Sequence, residues 1–259
     1  MGETSVAKTG ICKLCDQQCD FVKSHIVPKS FYGSFIRTKL LLFKGGRRLG
    51  SYRKGIYAQF LCFLCEKKFQ TIDDWAAKWL IQMRKGQPVG DKSTTQGYGM
   101  LLPGCSESKH KIEFLAGSIL WRAANCGRSE YSVLSIGKYN DDLKTWIATG
   151  LKPSCIVEKI SVMAMLYQVA DVNQKIRNAI FTPLIKTQPS KNNFGNFRRW
   201  RFGFPLGNIW IRLGGDTPKT GYFEVADSDK KIVDAVLWSS NLNNRYSTLF
   251  VLIANERAA

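Results

Sequence analysis

Four of the chain's eight cysteines form two closely spaced pairs, and these have the clearest capacity for chemistry. The pairs are Cys12-Lys-Leu-Cys15 and Cys62-Phe-Leu-Cys65. A tight CxxC turn directs two thiolates toward one point, and two such turns complete a closed tetrahedral shell around Zn²⁺. The spacing therefore predicts a structural zinc site, with buried free cysteines as the alternative interpretation.

The other four cysteines favour packing over metal binding. Cys19 lies near the first pair and is a spare or alternative ligand if it does not pack, whereas Cys105, Cys126 and Cys155 stand alone and are expected in the core. An even count also allows disulfides. However, residues 1–10 are polar and lack the apolar segment of a secretory signal, so we expect a cytoplasmic protein with reduced thiols.

Between the two pairs, His25 is the candidate for proton transfer, in the segment Lys-Ser-His-Ile-Val-Pro-Lys. A neutral imidazole near pH 7 can accept a proton from water, although a lone histidine after serine can equally serve as a local hydrogen-bonding group. Glu66 follows the last paired cysteine directly. Its carboxylate is a good ligand for Mg²⁺, and at a helix start it would also complement the helix dipole.

The order of these motifs resembles that of the HNH endonucleases with a ββα-metal core. The SHIVP form, the LCxxCE segment and a later S-x-x-W-R helix (Ser118 to Arg122) look like an HNH-related group of bacterial proteins. The HNH resemblance covers residues 11–79. It implies that His25 is the general base and that the four cysteines bind structural zinc. It also implies one catalytic Mg²⁺ or Mn²⁺, with Glu66 among its ligands, at the scissile phosphate and leaving 3′ oxygen.

Three positions depart from that family's pattern. Ser24 stands where a metal-binding Asp is common, Glu66 where a metal-binding His is common, and Tyr57 near the place of the middle Asn. Asp73 shares a helical face with Glu66, so Asp73 or Asp74 is a source of the missing carboxylate, or both are solvated surface charges. We therefore expect either a variant nuclease or a fold that has kept its zinc and lost its chemistry.

Charge points to a polyanionic partner. The chain has 38 Lys and Arg against 20 Asp and Glu, a formal net charge of +18, and nucleic acid is the commonest partner for such a field. A solubilising surface is the alternative, and the lack of a long apolar run excludes a membrane-spanning helix. In the segment 196–202 arginines alternate with aromatics, which suits either base stacking or a two-faced strand. The candidate nucleic-acid contacts are Arg47, Arg48, Arg53, Lys54, Arg198, Arg199 and Arg201.

Hydrophobic periodicity, acidic residues at a helix start, turn residues and β-branched runs together predict the elements that must position these residues. Helices are expected at 65–83, 112–125 and 140–149, a hairpin arm at 40–55, and C-terminal strands at 202–213, 222–226 and 248–254. Residues 156–185 are compatible with helix or strand. We predict an α+β protein: a zinc-stapled ββα-metal module, a helical middle and a small antiparallel β region. The expected domains are an HNH-like unit at 1–85, a linker at 86–111 and an α+β region at 112–259.

Two functions compete on this evidence. The first is a metal-dependent HNH-like endonuclease that hydrolyses phosphodiester bonds, with DNA as the expected substrate and His25 and Glu66 as catalytic residues. The resemblance suggests a role in bacterial defence or in mobile elements. The second is a non-catalytic, zinc-stabilised nucleic-acid-binding protein, which the departures at Ser24 and Tyr57 favour. A third, an interaction or toxin component whose charge serves a protein partner, has no strong signal in the sequence.

Overall fold

The structure is a computed structural model of the chain. It describes residues 8–32, 40–44, 47–52, 55–84, 94–96, 99–101, 106–132, 134–156, 159–166, 179–188, 197–204, 207–214 and 249–253. Mixed helix and sheet across these residues make the protein α+β.

The N-terminal part consists of two small hairpins followed by a long helix. Strand β1 (Thr9–Ile11) pairs antiparallel with β2 (Gln18–Asp20), and β3 (Val22–His25) pairs antiparallel with β6 (Tyr57–Leu61). Helix α1 (Phe63–Arg84) begins directly after β6. Its three- and four-residue apolar spacing buries one face, formed by Phe69, Ile72, Ala76, Trp79 and Leu80.

A nine-stranded mixed sheet forms the second layer of the fold. Its order is β5, β4, β10, β11, β12, β9, β13, β8, β7, and the pairings are antiparallel except for β4 with β10 and β8 with β13. The strands are β4 (Leu40–Lys44), β5 (Arg47–Tyr52), β7 (Thr94–Gln96), β8 (Gly99–Leu101), β9 (Ile160–Leu166), β10 (Ala179–Gln188), β11 (Phe197–Phe204), β12 (Gly207–Gly214) and β13 (Leu249–Ile253).

Helix α2 (Ser106–Asn125) lies at the centre of the core and contacts α1, β9, β12 and α3 (Asn140–Thr149). Gly117 lets α3 approach α2, since a Cβ at that position would lie 3.3 Å from the Trp146 ring. Helix α3 ends at Gly150, which has φ 76° and donates its N–H to the Trp146 carbonyl at 2.7 Å. One continuous core thus joins the helices to the sheet face formed by Trp200, Phe202, Phe204, Ile209, Ile211 and Leu213.

The three predicted helices are confirmed, the third with the same bounds, and strands β4 and β5 confirm the hairpin arm. Residues 156–185, which the sequence left open, contain β9 and the start of β10. The run at 202–213 lies across two paired strands, β11 and β12. The sheet also recruits β4 and β5 from within the first 85 residues, and the 86–111 segment carries β7 and β8 and the start of α2.

Some sequence predictions fall on parts of the chain that are not described. The glycine turn at 45–46, the basic residues Arg53 and Lys54, the strand at 222–226 and Cys105 all lie outside the described residues. In the part of the chain that is described, no helix combines the length and apolar character needed to cross a bilayer.

Candidate metal centre and adjacent polar site

The two CxxC pairs converge on one point. The Sγ atoms of Cys12, Cys15, Cys62 and Cys65 all lie within 4.8 Å of one another, and Cys15 Sγ is 3.9 Å from Cys62 Sγ. Sulfur atoms bound to Zn²⁺ at about 2.3 Å in a tetrahedron are separated by about 3.8 Å. The donor type, number and spacing therefore fit a structural zinc ion, as the sequence predicted.

Backbone amides hold the sulfur atoms of this cluster in place. The Cys62 N–H donates to Cys12 Sγ, and the Cys65 N–H donates to Cys62 Sγ, each at 3.4 Å. One N–H from the residue before α1 and one from its first turn are thus directed at sulfur atoms of the cluster. On the first knuckle, Asp16 adopts φ 59°, and its N–H donates to the Cys12 carbonyl at 2.9 Å, which closes the tight turn around Cys15.

The acid–base behaviour of these thiols also fits a cation. Burial alone would raise the pKa of Cys12, but hydrogen bonds from the backbone near Cys15, Cys62 and Leu14 outweigh it and lower the pKa to about 7. Burial and the neighbouring thiols raise the pKa of Cys65. Four adjacent sulfurs cannot all ionise without a positive charge among them, so metal binding and thiol deprotonation are coupled.

Outside the pairs, the cysteines have separate environments. Cys19 is half-buried, packs on the core and lies close enough to the cluster that burial and the charges of Cys12, Cys62 and Cys15 raise its pKa. Cys126 is buried, as the sequence predicted. Cys155 is exposed, which corrects the prediction of a core position, because it sits in the turn that follows α3 rather than on a buried element.

Beside the cysteine cluster, Ser24 and Glu66 form a buried polar site. Ser24 is fully buried on β3, and Glu66 lies in the first turn of α1. Burial raises the pKa of Glu66, and the nearby Ser24 hydroxyl and the charge of Arg122 oppose that rise. Neither Ser24 Oγ nor Glu66 Oε2 has a hydrogen-bond partner of good geometry among the described residues. The Ser24 hydroxyl is close enough to lower the pKa of Glu66, although no hydrogen bond of good geometry joins the two side chains.

Asp73 lies two turns beyond Glu66 on the same helix face, close enough for its charge to raise the pKa of Glu66. Both of its carboxylate oxygens accept hydrogen bonds of 3.0 Å from Arg122. Asp73 is therefore not a solvated surface charge. Its carboxylate is already engaged by Arg122, so it is not available as an unpartnered ligand. Asp74, its neighbour, is exposed.

His25 is the last residue of β3 and is half-buried. It lies directly across the hairpin from Tyr57, with their ring centroids 6.1 Å apart. Tyr57, which stands near the family's Asn position, thus faces the candidate base. The Lys23 ammonium lies 5.3 Å from the Tyr57 ring centroid, which adds a positive charge at this end of the hairpin.

The candidate nucleic-acid contacts differ in their strand positions and, for Arg198 and Arg201, in the exposure of the side chain. Arg198 is exposed and donates to the Ser135 carbonyl at 3.0 Å. Arg201 is buried, with 6% of its surface exposed. Arg199 lies on β11, and Arg47 and Arg48 lie on the edge strand β5.

Two positioning groups were missed in the sequence because each joins residues far apart in the chain. Arg122 connects α2 to α1 and to the end of β3. Arg128 donates to the Tyr57 carbonyl at 3.1 Å and pairs with Glu130, which also accepts a hydrogen bond from the Tyr52 hydroxyl. The only sequence signal for either group was the S-x-x-W-R segment that contains Arg122.

Comparisons with known proteins give no further assignment. No family model matches the chain, and no curated protein or solved structure matches it significantly. The functional argument therefore depends on the residues described above.

Proposed function

We propose that the protein is a metal-dependent endonuclease of the HNH type that hydrolyses phosphodiester bonds in nucleic acid, with DNA as the expected substrate. The observation that carries the proposal is the buried pair of unsatisfied oxygens, Ser24 Oγ and Glu66 Oε2. A buried polar oxygen without a hydrogen-bond partner costs about 1–3 kcal/mol, so binding of a cation or water at this pair would be favourable. Ser24 directly precedes His25, the candidate base, on β3.

The local architecture supports the same proposal. An antiparallel hairpin, β3 with β6, leads directly into α1, and the four-cysteine cluster joins the start of the hairpin region to the start of the helix. His25 ends the first strand and Glu66 begins the helix. This is the order of elements that the HNH resemblance implies.

The oxygen atoms of Glu66, Ser24 and Asp73 are the candidate ligands for a catalytic divalent cation. Mg²⁺ prefers oxygen ligands and commonly uses one or two carboxylates together with several waters. Glu66 offers one carboxylate oxygen without a partner, and Ser24 offers a hydroxyl, a weaker donor. Asp73 is already engaged by Arg122. The residues fit a cation held mainly through Glu66 and water, and a bound cation would supply charge stabilisation at the phosphate.

The chain's own residues then have the following roles in the proposal. His25, in its neutral form, accepts a proton from the attacking water. Glu66 holds the cation as a carboxylate, and because burial raises its pKa, that form is reached at higher pH than for an exposed glutamate. The basic residues Arg47, Arg48, Arg53, Lys54, Arg198 and Arg199 attract and hold the phosphate backbone.

A non-catalytic nucleic-acid-binding protein is the second candidate, and one observation favours it. The carboxylate that would replace the family's missing Asp belongs to Asp73, which is held by two hydrogen bonds from Arg122. Under this alternative the zinc knuckles and the Glu66 site are structural. The protein would bind nucleic acid without cutting it.

The deciding experiment compares wild type, His25→Ala and His110→Ala. His110 is the only other histidine in the sequence and is exposed at the surface of α2, so it is the matched control. Supercoiled plasmid and labelled RNA are incubated with Mg²⁺, with Mn²⁺ or without added metal, after bound zinc has been measured. We expect metal-dependent cutting that falls about 10²- to 10⁴-fold in His25→Ala alone. Salt-sensitive binding without cutting would establish the second candidate instead.

A further inference from the structure

Arg122 is a completely buried cation that joins three separate parts of the fold. It lies on α2, 97 residues after His25 and 49 after Asp73, and none of its side-chain surface is exposed. The guanidinium also stacks on Phe69, with Cζ 4.7 Å from the ring centroid. An isolated buried charge is very costly, so its position must be fixed by its partners.

Every N–H of this guanidinium has an acceptor. Nε donates to the Ser118 carbonyl at 3.4 Å. Nη1 donates to the His25 carbonyl at 2.8 Å and to Asp73 Oδ2 at 3.0 Å. Nη2 donates to Asp73 Oδ1 at 3.0 Å and to Ser118 Oγ at 3.3 Å. Since arginine has five N–H donors in a planar fork, this arrangement uses its full capacity and fixes its orientation.

These partners define the geometry of the polar site. The His25 carbonyl marks the end of β3, and Asp73 marks α1 two turns beyond Glu66. The Ile26 N–H belongs to the same peptide group as the His25 carbonyl, and it donates to the Ile56 carbonyl at 3.1 Å, so both polar atoms of this peptide are held. With Arg122 in place, the strand end that carries His25 is fixed against the helix that carries Glu66.

We propose that Arg122 is a positioning residue for the reaction: it acts through the His25 backbone and Asp73, and it sets His25 in register with Glu66. This inference rests on the proposed function. It makes α2, which lies outside the HNH-like segment, a necessary part of the site. The S-x-x-W-R segment is then explained residue by residue. Ser118 orients the guanidinium, Trp121 packs on Phe60 and Phe69, and Arg122 makes the connection.

The test uses the full chain with Arg122→Lys, which keeps the charge beside Asp73 but cannot reproduce the fork. Lys152→Gln is the matched control, because it breaks another ion pair made by α2, the 2.7 Å contact between Glu113 on that helix and the partly buried Lys152 after α3. Three quantities are measured for each variant: zinc content, kcat and KM for plasmid cleavage with Mg²⁺, and amide hydrogen exchange across residues 22–27.

We expect Arg122→Lys to keep its zinc, to lower kcat about 100-fold with a nearly unchanged KM, and to speed exchange at the Ile26 amide. Lys152→Gln should lose stability without either effect. A kcat in Arg122→Lys equal to that of wild type, or a loss no larger than in Lys152→Gln, would overturn the proposal.

Failure of the proposed function has a different signature. If wild type does not cut, that function fails, and the exchange measurement decides the role of Arg122 by itself. Faster exchange at residues 22–27 in Arg122→Lys and not in Lys152→Gln supports positioning of the His25 strand. Equal exchange in the two variants refutes it.

Discussion

Cys15 Sγ and Cys62 Sγ lie 3.9 Å apart although 47 residues separate them in sequence. The intervening chain leaves the small hairpins to contribute β4 and β5 to the large sheet and then returns. A metal ion bound at this point therefore closes a long loop. Because the open loop has high conformational entropy in the unfolded state, closing it stabilises the folded state. The cysteine cluster therefore holds together the two parts of the chain that come before and after the segment containing β4 and β5.

The first prediction concerns this cluster. Cys62→Ser removes one thiolate ligand, so we expect the protein to lose bound zinc and to lose on the order of 4 kcal/mol in free energy of unfolding. Metal analysis and denaturant unfolding measure the two effects. Cys155→Ser is the control, because Cys155 is exposed and lies outside the cluster. Unchanged zinc content in Cys62→Ser would contradict the assignment.

The second prediction follows from the raised pKa of Glu66. A carboxyl that holds its proton more tightly in the folded state makes unfolding easier as pH rises from its ordinary value of 4.5 toward the raised one. Glu66→Gln removes that titration. Without added Mg²⁺, the variant should gain stability relative to wild type as pH increases above 4.5.

Thermal unfolding across that pH range measures the effect of Glu66→Gln. Added Mg²⁺ should then stabilise wild type and leave Glu66→Gln unchanged, because only the carboxylate binds the ion. Parallel pH profiles for the two proteins would show that Glu66 is not the group that titrates. Asp74→Asn serves as the control, since Asp74 is an exposed acid on the same helix.

Local sequence predicted the helices and the cysteine cluster of this fold, but it did not predict which strands pair in the large sheet. Apolar spacing predicted α1 and α2 because each buries one continuous face, and Asp141 and Asp142 in the first turn predicted α3. The CxxC spacing predicted the cysteine cluster because two short turns determine it. By contrast, the pairing of β4 with β10 joins residues about 140 positions apart in parallel register, for instance Leu41 with Ala179. Periodicity within a segment carries no information about such a partner.

The same distinction applies to the candidate site. His25 and Glu66 were identified by their positions beside the cysteine pairs. The engagement of Asp73 by Arg122 depends on α2, which contacts α1 only in the folded chain. A fully buried arginine also runs against expectation from composition, since arginine is rarely buried unless it is paired. Sequence reasoning therefore identified the candidate residues, but it did not identify Arg122 as the partner of Asp73 and of the His25 backbone.

The third prediction tests the basic surface. Arg198 is exposed, and if it contacts a phosphate, Arg198→Ala should weaken nucleic-acid binding uniformly across sequences and reduce the slope of log K against log salt by about 1. Lys144→Gln is the control, because Lys144 is already paired with Asp16 at 2.6 Å. Binding titrations at several salt concentrations give both slopes. Identical slopes for Arg198→Ala and wild type would remove Arg198 from the interface.

The fourth prediction concerns Gly55, which precedes β6 and supports the backbone beside His25. It has φ +85°, and a Cβ there would lie 2.5 Å from the ring of Tyr32, whose hydroxyl accepts a hydrogen bond from the Ile56 N–H. Gly127 also has positive φ, +67°, but no atom lies within 4 Å of its would-be Cβ. Gly127→Ala should therefore cost only the backbone term, about 1 kcal/mol. Gly55→Ala should cost at least about 3 kcal/mol, because the buried ring must also move. Chemical denaturation of both variants measures the difference, and equal losses would show that Tyr32 yields without cost and that the contact does not hold the turn beside the site.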